Sequence, residues 1–319
     1  MFTIDYFSEI IEAAIADLKL PADPAGLYEP IRYTLDGGGK RLRPVLLLAS
    51  ARAFGVKAST VISQALGIEM FHNFTLLHDD VMDNADVRRG RPTVHRRWNS
   101  STAILSGDAM LTLATRLIAD CNAGKLRDVL DLFNTTAMEI YEGQQYDMDF
   151  ESQTDVSVDR YLEMIRLKTS VLLACACRMG AMLAGADEQS CAALYRYGEL
   201  LGLAFQLQDD YLDTYGDPAL FGKEIGGDII NEKKTWLWIN AMNECRGEMT
   251  RILDRKLTDY LKIKEIKAVY DSIGLPERSG ELIKHYVEQA VEALDNARIT
   301  PEAREFFVKL AGRTTSRTH

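Results

Sequence analysis

Two segments of the chain carry the same arrangement of carboxylates: Leu77-His78-Asp79-Asp80-Val81-Met82-Asp83 and Leu207-Gln208-Asp209-Asp210-Tyr211-Leu212-Asp213. Each is D-D-x-x-D among apolar residues. At 3.6 residues per helical turn, Asp79 and Asp83 share one face, as do Asp209 and Asp213, with Asp80 and Asp210 about 100° round. Carboxylates held ~6 Å apart at an effective dielectric of ~20 repel by about 3 kcal/mol per pair, so a positive charge is expected between them. Hard divalent cations, magnesium above all, prefer carboxylate oxygen and keep coordination positions for water and substrate phosphate. A single such motif reads equally well as a solvated helix face. The second copy, flanked by apolar Phe205 and Leu207, argues against that reading. Two such helices facing each other would line a magnesium cleft.

A magnesium-chelated phosphate needs donors for its remaining oxygens. Arg88, Arg89, Arg91, Arg96 and Arg97, with His95, follow the first acidic motif, a density suited to forked hydrogen bonding of phosphate. Gly38-Gly39-Lys40-Arg41-Leu42-Arg43-Pro44 sets a second cluster where a glycine-rich turn meets a helix start, a favourable place for an anion. Lys168, Lys223, Lys233 and Lys234 add more. Solvated surface charge is the usual fate of Lys and Arg, and that reading is adopted for Arg41, Arg96, Arg97 and Lys234. His72, seven residues before Asp79, lies on the same helix face roughly 10 Å along the axis and is a candidate for a second ligand; His78 is read as structural. Two cationic clusters beside two acidic ones imply two anionic ligands, one chelated through metal and one held by side chains directly.

The elements that must position these residues read as helices. Phe7, Ile10, Ile11, Ala14, Ile15 and Leu18 recur at helical spacing, the stripe of an amphipathic helix. Helical stretches follow at 45–54, 60–83, 101–121, 125–147, 158–184, 188–213, 233–245 and 279–297, with a last one opened by Thr300-Pro301 and running through Leu310. No run alternates β-branched residues, and neither G-x-G-x-x-G nor a P-loop occurs. The loop signals at Asp36-Gly37-Gly38-Gly39, Gly90-Arg91-Pro92, Gly216-Asp217-Pro218 and Gly226-Gly227 are too short for a domain linker. The expectation is an all-α protein, a single domain over residues 1–319 with roughly ten or more helices.

Composition narrows the function classes. The chain has 319 residues, with 37 Lys+Arg against 47 Asp+Glu and a formal net charge of −10, which argues against a nucleic-acid binder. The longest apolar run, Ser170 to Ala186, is interrupted by Arg178 and reads as a buried core helix rather than a membrane span. Asp5, Glu9 and Glu12 near the N-terminus are unlike a signal peptide. The five cysteines include no C-x-x-C pair, so neither a disulfide framework nor a zinc site is indicated, and a reduced, cytoplasmic protein is expected.

In combination these residues resemble the trans-isoprenyl diphosphate synthases of the polyprenyl synthetase family, which includes farnesyl and geranylgeranyl diphosphate synthases. The resemblance runs from about Gly38 to Trp236. It rests on G-G-K-R-x-R-P at Gly38 to Pro44, and on H-x-x-x-x-x-H-D-D-x-x-D followed by R-R-G at His72 to Gly90. K-T at Lys168-Thr169, F-Q-x-x-D-D-x-x-D at Phe205 to Asp213, Gly222-Lys223 and Asp228 complete it. It implies helices around a deep central cavity, the isoprenoid synthase fold, and a homodimer. By the same resemblance Asp79, Asp80, Asp83, Asp209, Asp210 and Asp213 would bind magnesium, three ions per site, bridged to an allylic diphosphate (dimethylallyl, geranyl or farnesyl). Arg88, Lys168, Lys223 and Lys233 would contact that diphosphate. Lys40, Arg43, His72 and Arg89 would hold isopentenyl diphosphate, and Thr169 and Gln206 would sit near the developing allylic cation. The implied reaction is ionisation, condensation and elimination, with no nucleophilic side chain.

In that family a bulky aromatic at the fifth position before the first acidic motif limits product length. Here it is Phe74, with Thr75 at the fourth, favouring fifteen or twenty carbons. The motif lacks the two-residue insertion of bacterial farnesyl synthases and the second aromatic of eukaryotic ones, which resembles geranylgeranyl synthases with one aromatic block and leans to twenty carbons. Phe71 and Met110 would shorten the cavity further only if they face it; both read as core packing. Two alternatives remain: a class I terpene cyclase, against which Lys40, Arg43 and His72 count, and a catalytically silent subunit, against which the six aspartates count.

Overall fold

The computed structural model describes residues 2–217 and 225–315. Lys223, expected at the diphosphate, lies outside them. Among the described residues the chain is helical apart from one two-stranded hairpin, so the fold is all-α. In chain order the elements are α1 (Ile4–Ala16), α2 (Ala25–Leu35), α3 (Leu42–Ala53), α4 (Ile62–Met82), β1 (Val87–Arg88), β2 (Arg91–Pro92), α5 (Val94–Arg97), α6 (Ser100–Ile118) and α7 (Ala123–Ser152). Then come α8 (Val158–Ile165), α9 (Val171–Leu183), α10 (Glu188–Tyr215), α11 (Gly227–Ile230), α12 (Trp236–Leu253), α13 (Asp259–Ser272), α14 (Leu275–Ala293) and α15 (Pro301–Thr315). They fall into two compact units, one of Met1–Thr135, Cys175–Tyr195 and Asn296–Phe306, the other of Thr136–Ala174, Arg196–Asp295 and Phe307–His319.

In the first unit α1 starts where the Thr3 hydroxyl accepts the Tyr6 N–H at 3.2 Å, and it buries the expected stripe through Phe7, Ile11 and Ile15. Burial of α3 is continuous from Pro44 to Ala51, so it is a core helix rather than an amphipathic one. Its neighbour α4 is buried on most of its circumference, from Gln64 through Phe71 and Phe74 to Asp80. Close packing of α4 on α6 needs small residues on both sides. A Cβ at Gly67 would stand 2.8 Å from Ile118 Cγ1, and one at Gly107 would enter the His78 ring.

In the second unit α8, α10, α12, α13 and α14 share a core that includes Tyr161, Met164, Leu203, Leu207, Trp236, Trp238, Ile266, Tyr270 and Ile283. Among the described helices longer than four residues, two lie outside the expected stretches, α2 of the first unit and α13 of the second. The first carries Pro30 in its interior, which masks its period. The second carries a legible signal, Thr258 before Asp259 and apolar Ile263, Ile266, Val269 and Tyr270. The expected helix over 158–184 is interrupted by a π turn at Arg166–Ser170. No described helix is long and apolar enough to cross a membrane, and α9 is buried continuously from Val171 to Cys177.

Candidate active site

The first acidic motif occupies the last turn of α4. The helix ends with Asp83 as its cap and Asn84 in the left-handed region (φ 51°). Asn84 N–H donates to Val81 O (3.3 Å) and Ala85 N–H to Asp80 O (3.0 Å), the double closure that an αL residue after a helix permits. Three carboxylates thus crowd the negative end of a helix dipole, where each is disfavoured and a cation is favoured. Asp80 is buried and its carboxyl is pushed up by that burial, against the pull of Arg88. Asp83 is exposed and Asp79 lies between the two. The second motif, on the last turns of α10, repeats the arrangement. Burial pushes Asp210 up to about 7, against Lys233 and the bonds it accepts.

Arg88 and Arg89 are aimed by the hairpin. Arg88 pairs with Arg91 across the strands, and the two turn residues between them, Arg89 (φ 52°) and Gly90 (φ 72°), both have positive φ, the conformation a tight two-residue hairpin demands. Arg88 Nε then donates to Asp80 Oδ1 at 2.7 Å. Arg89 turns the other way and donates to Gly38 O. Its guanidinium carbon lies 3.0 Å from where a Cβ of Gly39 would be (φ 136°), so only glycine admits it there. Asp80, Arg88 and Arg89 line one recess with Tyr33, Asn73 and Thr93.

Arg43, the second residue of α3, donates from Nη1 to His72 Nε2 at 3.2 Å. Burial, reinforced by Arg43, Arg89, Arg88 and Arg41, holds the His72 imidazole well below its ordinary value. The ring is therefore neutral, with Nε2 as acceptor and the proton assigned to Nδ1. Burial also pushes Arg43 down to about 10, with Glu69 opposing. The Gly38–Arg43 loop thus brings Arg43 to His72 and Gly39 to Arg89, with Lys40 exposed beside them.

Arg41 corrects the surface reading. It is 4% exposed and salt-bridged to Glu12 and Glu69, both at 2.7 Å. Arg96 and Arg97 are exposed, as expected. Half-buried Lys234 donates to Glu232 O at 2.9 Å and so is also partnered. His78 is structural: its Nε2 lies 3.1 Å from Ile104 O. Phe74 is 5% exposed, and its ring packs on Phe71 (centroids 5.4 Å) and His78 (4.8 Å). Thr75 turns its hydroxyl back to His72 O at 2.8 Å and presents its methyl. Phe71 and Met110 are wholly buried.

In the second unit the π turn presents Lys168 and Thr169. Two glycines let helices close on it. A Cβ at Gly143 of α7 would strike the Lys168 backbone N, and one at Gly202 of α10 would lie 2.5 Å from Ser170 Cα. Thr169 Oγ1 donates to Gln206 Oε1 at 2.9 Å, Gln206 Nε2 donates to Asp210 Oδ1 at 2.8 Å, and Tyr161 OH donates to Asp210 Oδ2. Four residues from three segments so form one hydrogen-bonded row. Lys168 Nζ lies 2.6 Å from Asp147 Oδ2. Lys233 lies 3.7 Å from Asp228; burial opposes its charge, but Asp228, Asp210, Asp147 and Asp209 outweigh it and keep it protonated. Asp213 accepts the Asp228 backbone N–H at 2.9 Å. Sequence reasoning missed Asp147 and Tyr161. Asp147 sits four residues after Gly143 in an acidic helix, where nothing local marks it, and Tyr161 precedes Lys168 by seven residues.

The donor set suits a hard cation: both motifs offer only carboxylate oxygen, crowded and destabilised by burial. Among the described residues no three His, Cys, Asp or Glu side chains come together closely enough to hold a metal alone.

A family model described as polyprenyl synthetase matches residues 24–273. The geranylgeranyl diphosphate synthase of Methanosarcina mazei is 38% identical over 297 residues, 92% of this chain and 91% of that protein. A solved geranylgeranyl pyrophosphate synthase superposes with a TM-score of 0.96 at 42% identity, covering 100% of both chains. The geranylgeranyl pyrophosphate synthase of Corynebacterium glutamicum, solved in complex with isoprenyl diphosphate and magnesium, superposes with a TM-score of 0.84 at 31% identity over 98% of this chain and 96% of that one. The chain belongs to the polyprenyl synthetase family, and within it to the trans-isoprenyl diphosphate synthases that build short prenyl chains. Its fold is the isoprenoid synthase fold, and its chemistry is prenyl transfer.

Proposed function

We propose that the protein condenses isopentenyl diphosphate with allylic diphosphates to geranylgeranyl diphosphate, the product named in its relatives, with farnesyl diphosphate as the shorter alternative. The observation that carries this reading is the group that gathers at the glycine-rich loop, where the guanidiniums of Arg43 and Arg89 stand with the neutral imidazole of His72. It offers donors for a second anionic substrate that a cyclase does not need. The cyclase and silent-subunit readings also lack support among the relatives, which are chain-elongating synthases.

On this reading Asp79, Asp80, Asp83, Asp209, Asp210 and Asp213 are magnesium ligands, three ions per site by family resemblance, and the magnesium of the Corynebacterium structure supports the choice of ion. Magnesium supplies charge neutralisation of the departing allylic diphosphate. Arg88, Lys168 and Lys233, with Lys223, donate to the same diphosphate; Asp80, Asp147 and Asp228 hold the first three in place. Lys40, Arg43, His72 and Arg89 orient isopentenyl diphosphate. Neutral His72 contributes as a hydrogen-bond partner, not as a charge. The Thr169 hydroxyl and Gln206 carbonyl lie where partial negative charge favours the allylic cation. The double bond of isopentenyl diphosphate attacks that cation, and the released diphosphate takes the proton, so no side chain forms a covalent bond. Phe74, backed by Phe71, closes the chain's cavity, with Thr75 beside it.

The reading extends to one polyprenyl synthetase domain, acting in the cytoplasm as a homodimer. Exposed Ile104 (47%) and Leu105 (60%) on α6 support the dimer. The deciding test is a product assay with magnesium, isopentenyl diphosphate and each of the dimethylallyl, geranyl and farnesyl starters, read by mass spectrometry. A discrete twenty-carbon product that chelation abolishes is expected. Absence of condensation by folded protein with every starter overturns the reading.

A further inference from the structure

Arg41, in the glycine-rich loop, turns its guanidinium into the meeting point of three helices. Nε donates to Glu12 of α1, Nη1 to Glu69 of α4 and Nη2 to Leu35 O at the end of α2, each at 2.7 Å. Arg41 itself caps α3 with φ 45°. A left-handed backbone is costly for a residue with a Cβ and persists where other contacts over-determine it; here three forked bonds to three helices do so. Glu69, 2% exposed, also accepts from Asn73 Nδ2 at 2.9 Å. The same carboxylate stabilises the charge of Arg43 and of Arg89. One buried carboxylate among three guanidiniums leaves a positive cluster that an anion completes.

We propose that Arg41, held by Glu12 and Glu69, is the positioning residue of the isopentenyl diphosphate site: it locks the loop so that Lys40 and Arg43 on either side present their donors beside His72 and Arg89. The inference rests on the reading that those four residues bind isopentenyl diphosphate. It brings α1, which lies outside the family-matched residues 24–273, into substrate binding. Lysine cannot replace Arg41, because one ammonium on a flexible stem does not reproduce a planar three-way fork.

Three variants test it: Glu12→Gln, Arg41→Lys and Arg43→Gln. Each is titrated calorimetrically with isopentenyl diphosphate in the absence of metal, and assayed for both KM values, kcat and thermal midpoint. Glu12 is the gentle probe, since its side chain is 49% exposed and its replacement opens no core. Weakening of isopentenyl diphosphate binding by about threefold in Glu12→Gln and about tenfold in Arg41→Lys is expected, with the allylic KM and kcat unchanged. Wild-type affinity in both, beside weak binding in Arg43→Gln, overturns the inference and leaves the site assignment standing. A general fall in kcat and both affinities with a lowered midpoint marks a merely structural ion pair and overturns it too. Wild-type binding by Arg43→Gln removes the site assignment, and the inference with it. Where Arg41→Lys does not fold, Glu12→Gln decides.

Discussion

Three cations assigned to the allylic diphosphate lean on carboxylates: Arg88 on Asp80, Lys168 on Asp147, Lys233 on Asp228. Long side chains are thereby ordered before a substrate arrives, which lowers the entropy lost on binding. Phe74 acts by bulk. Replacing it with Ala is expected to lengthen the product by about one isoprene unit or more, read by mass spectrometry, and to cost about 3–5 kcal/mol of stability because the ring is 5% exposed. An unchanged product would remove Phe74 from the length control. His72 carries a pH signature. Its folded-state value lies well below the ordinary 6.5, so below that pH the unfolded chain gains a proton that the native state refuses. Stability therefore falls as pH drops through about 6.5, by up to about 1.4 kcal/mol per unit from this group. Denaturant unfolding at about pH 7.5 and 5.5 is expected to show a smaller acid loss in His72→Gln than in the parent protein. Equal losses would mean that the imidazole protonates freely in the folded state.

At the level of elements, the site depends on helix ends and on one interruption. The first acidic motif was legible because i and i+4 spacing is local, and Asn84 after Asp83 was there to be read as a stop. The π turn at Arg166–Ser170 was not legible. It is formed where Gly143 and Gly202 let α7 and α10 approach its backbone, and such an approach leaves no trace in the turn's own period. Gly143→Ala is expected to cost about 1–3 kcal/mol by overpacking and to raise the allylic KM as Lys168 shifts, measured by thermal unfolding and steady-state kinetics. An unaltered allylic KM would show that the turn tolerates displacement.

At the level of the whole molecule, α6 carries the proposed dimer contact. Leu105→Glu places a charge on its exposed apolar face and is expected to shift the protein from dimer to monomer in light scattering, because an unpaired charge in an interface is strongly disfavoured. A dimer retained in that variant moves the contact elsewhere.

The sequence by itself determined the all-α fold class, the carboxylate clusters and the family, since helical period, i/i+4 adjacency and motif spacing are properties of a chain's neighbouring residues. Only the tertiary structure decided which charges are buried and whom they meet. Arg41 looked like its exposed neighbour Lys40, yet it is buried against Glu12 and Glu69. Tyr161 found Asp210 across 49 residues, and Lys168 found Asp147 across 21. The physical reason is that the partner of a buried polar group depends on which helix faces come together, and that depends on packing between elements remote in sequence.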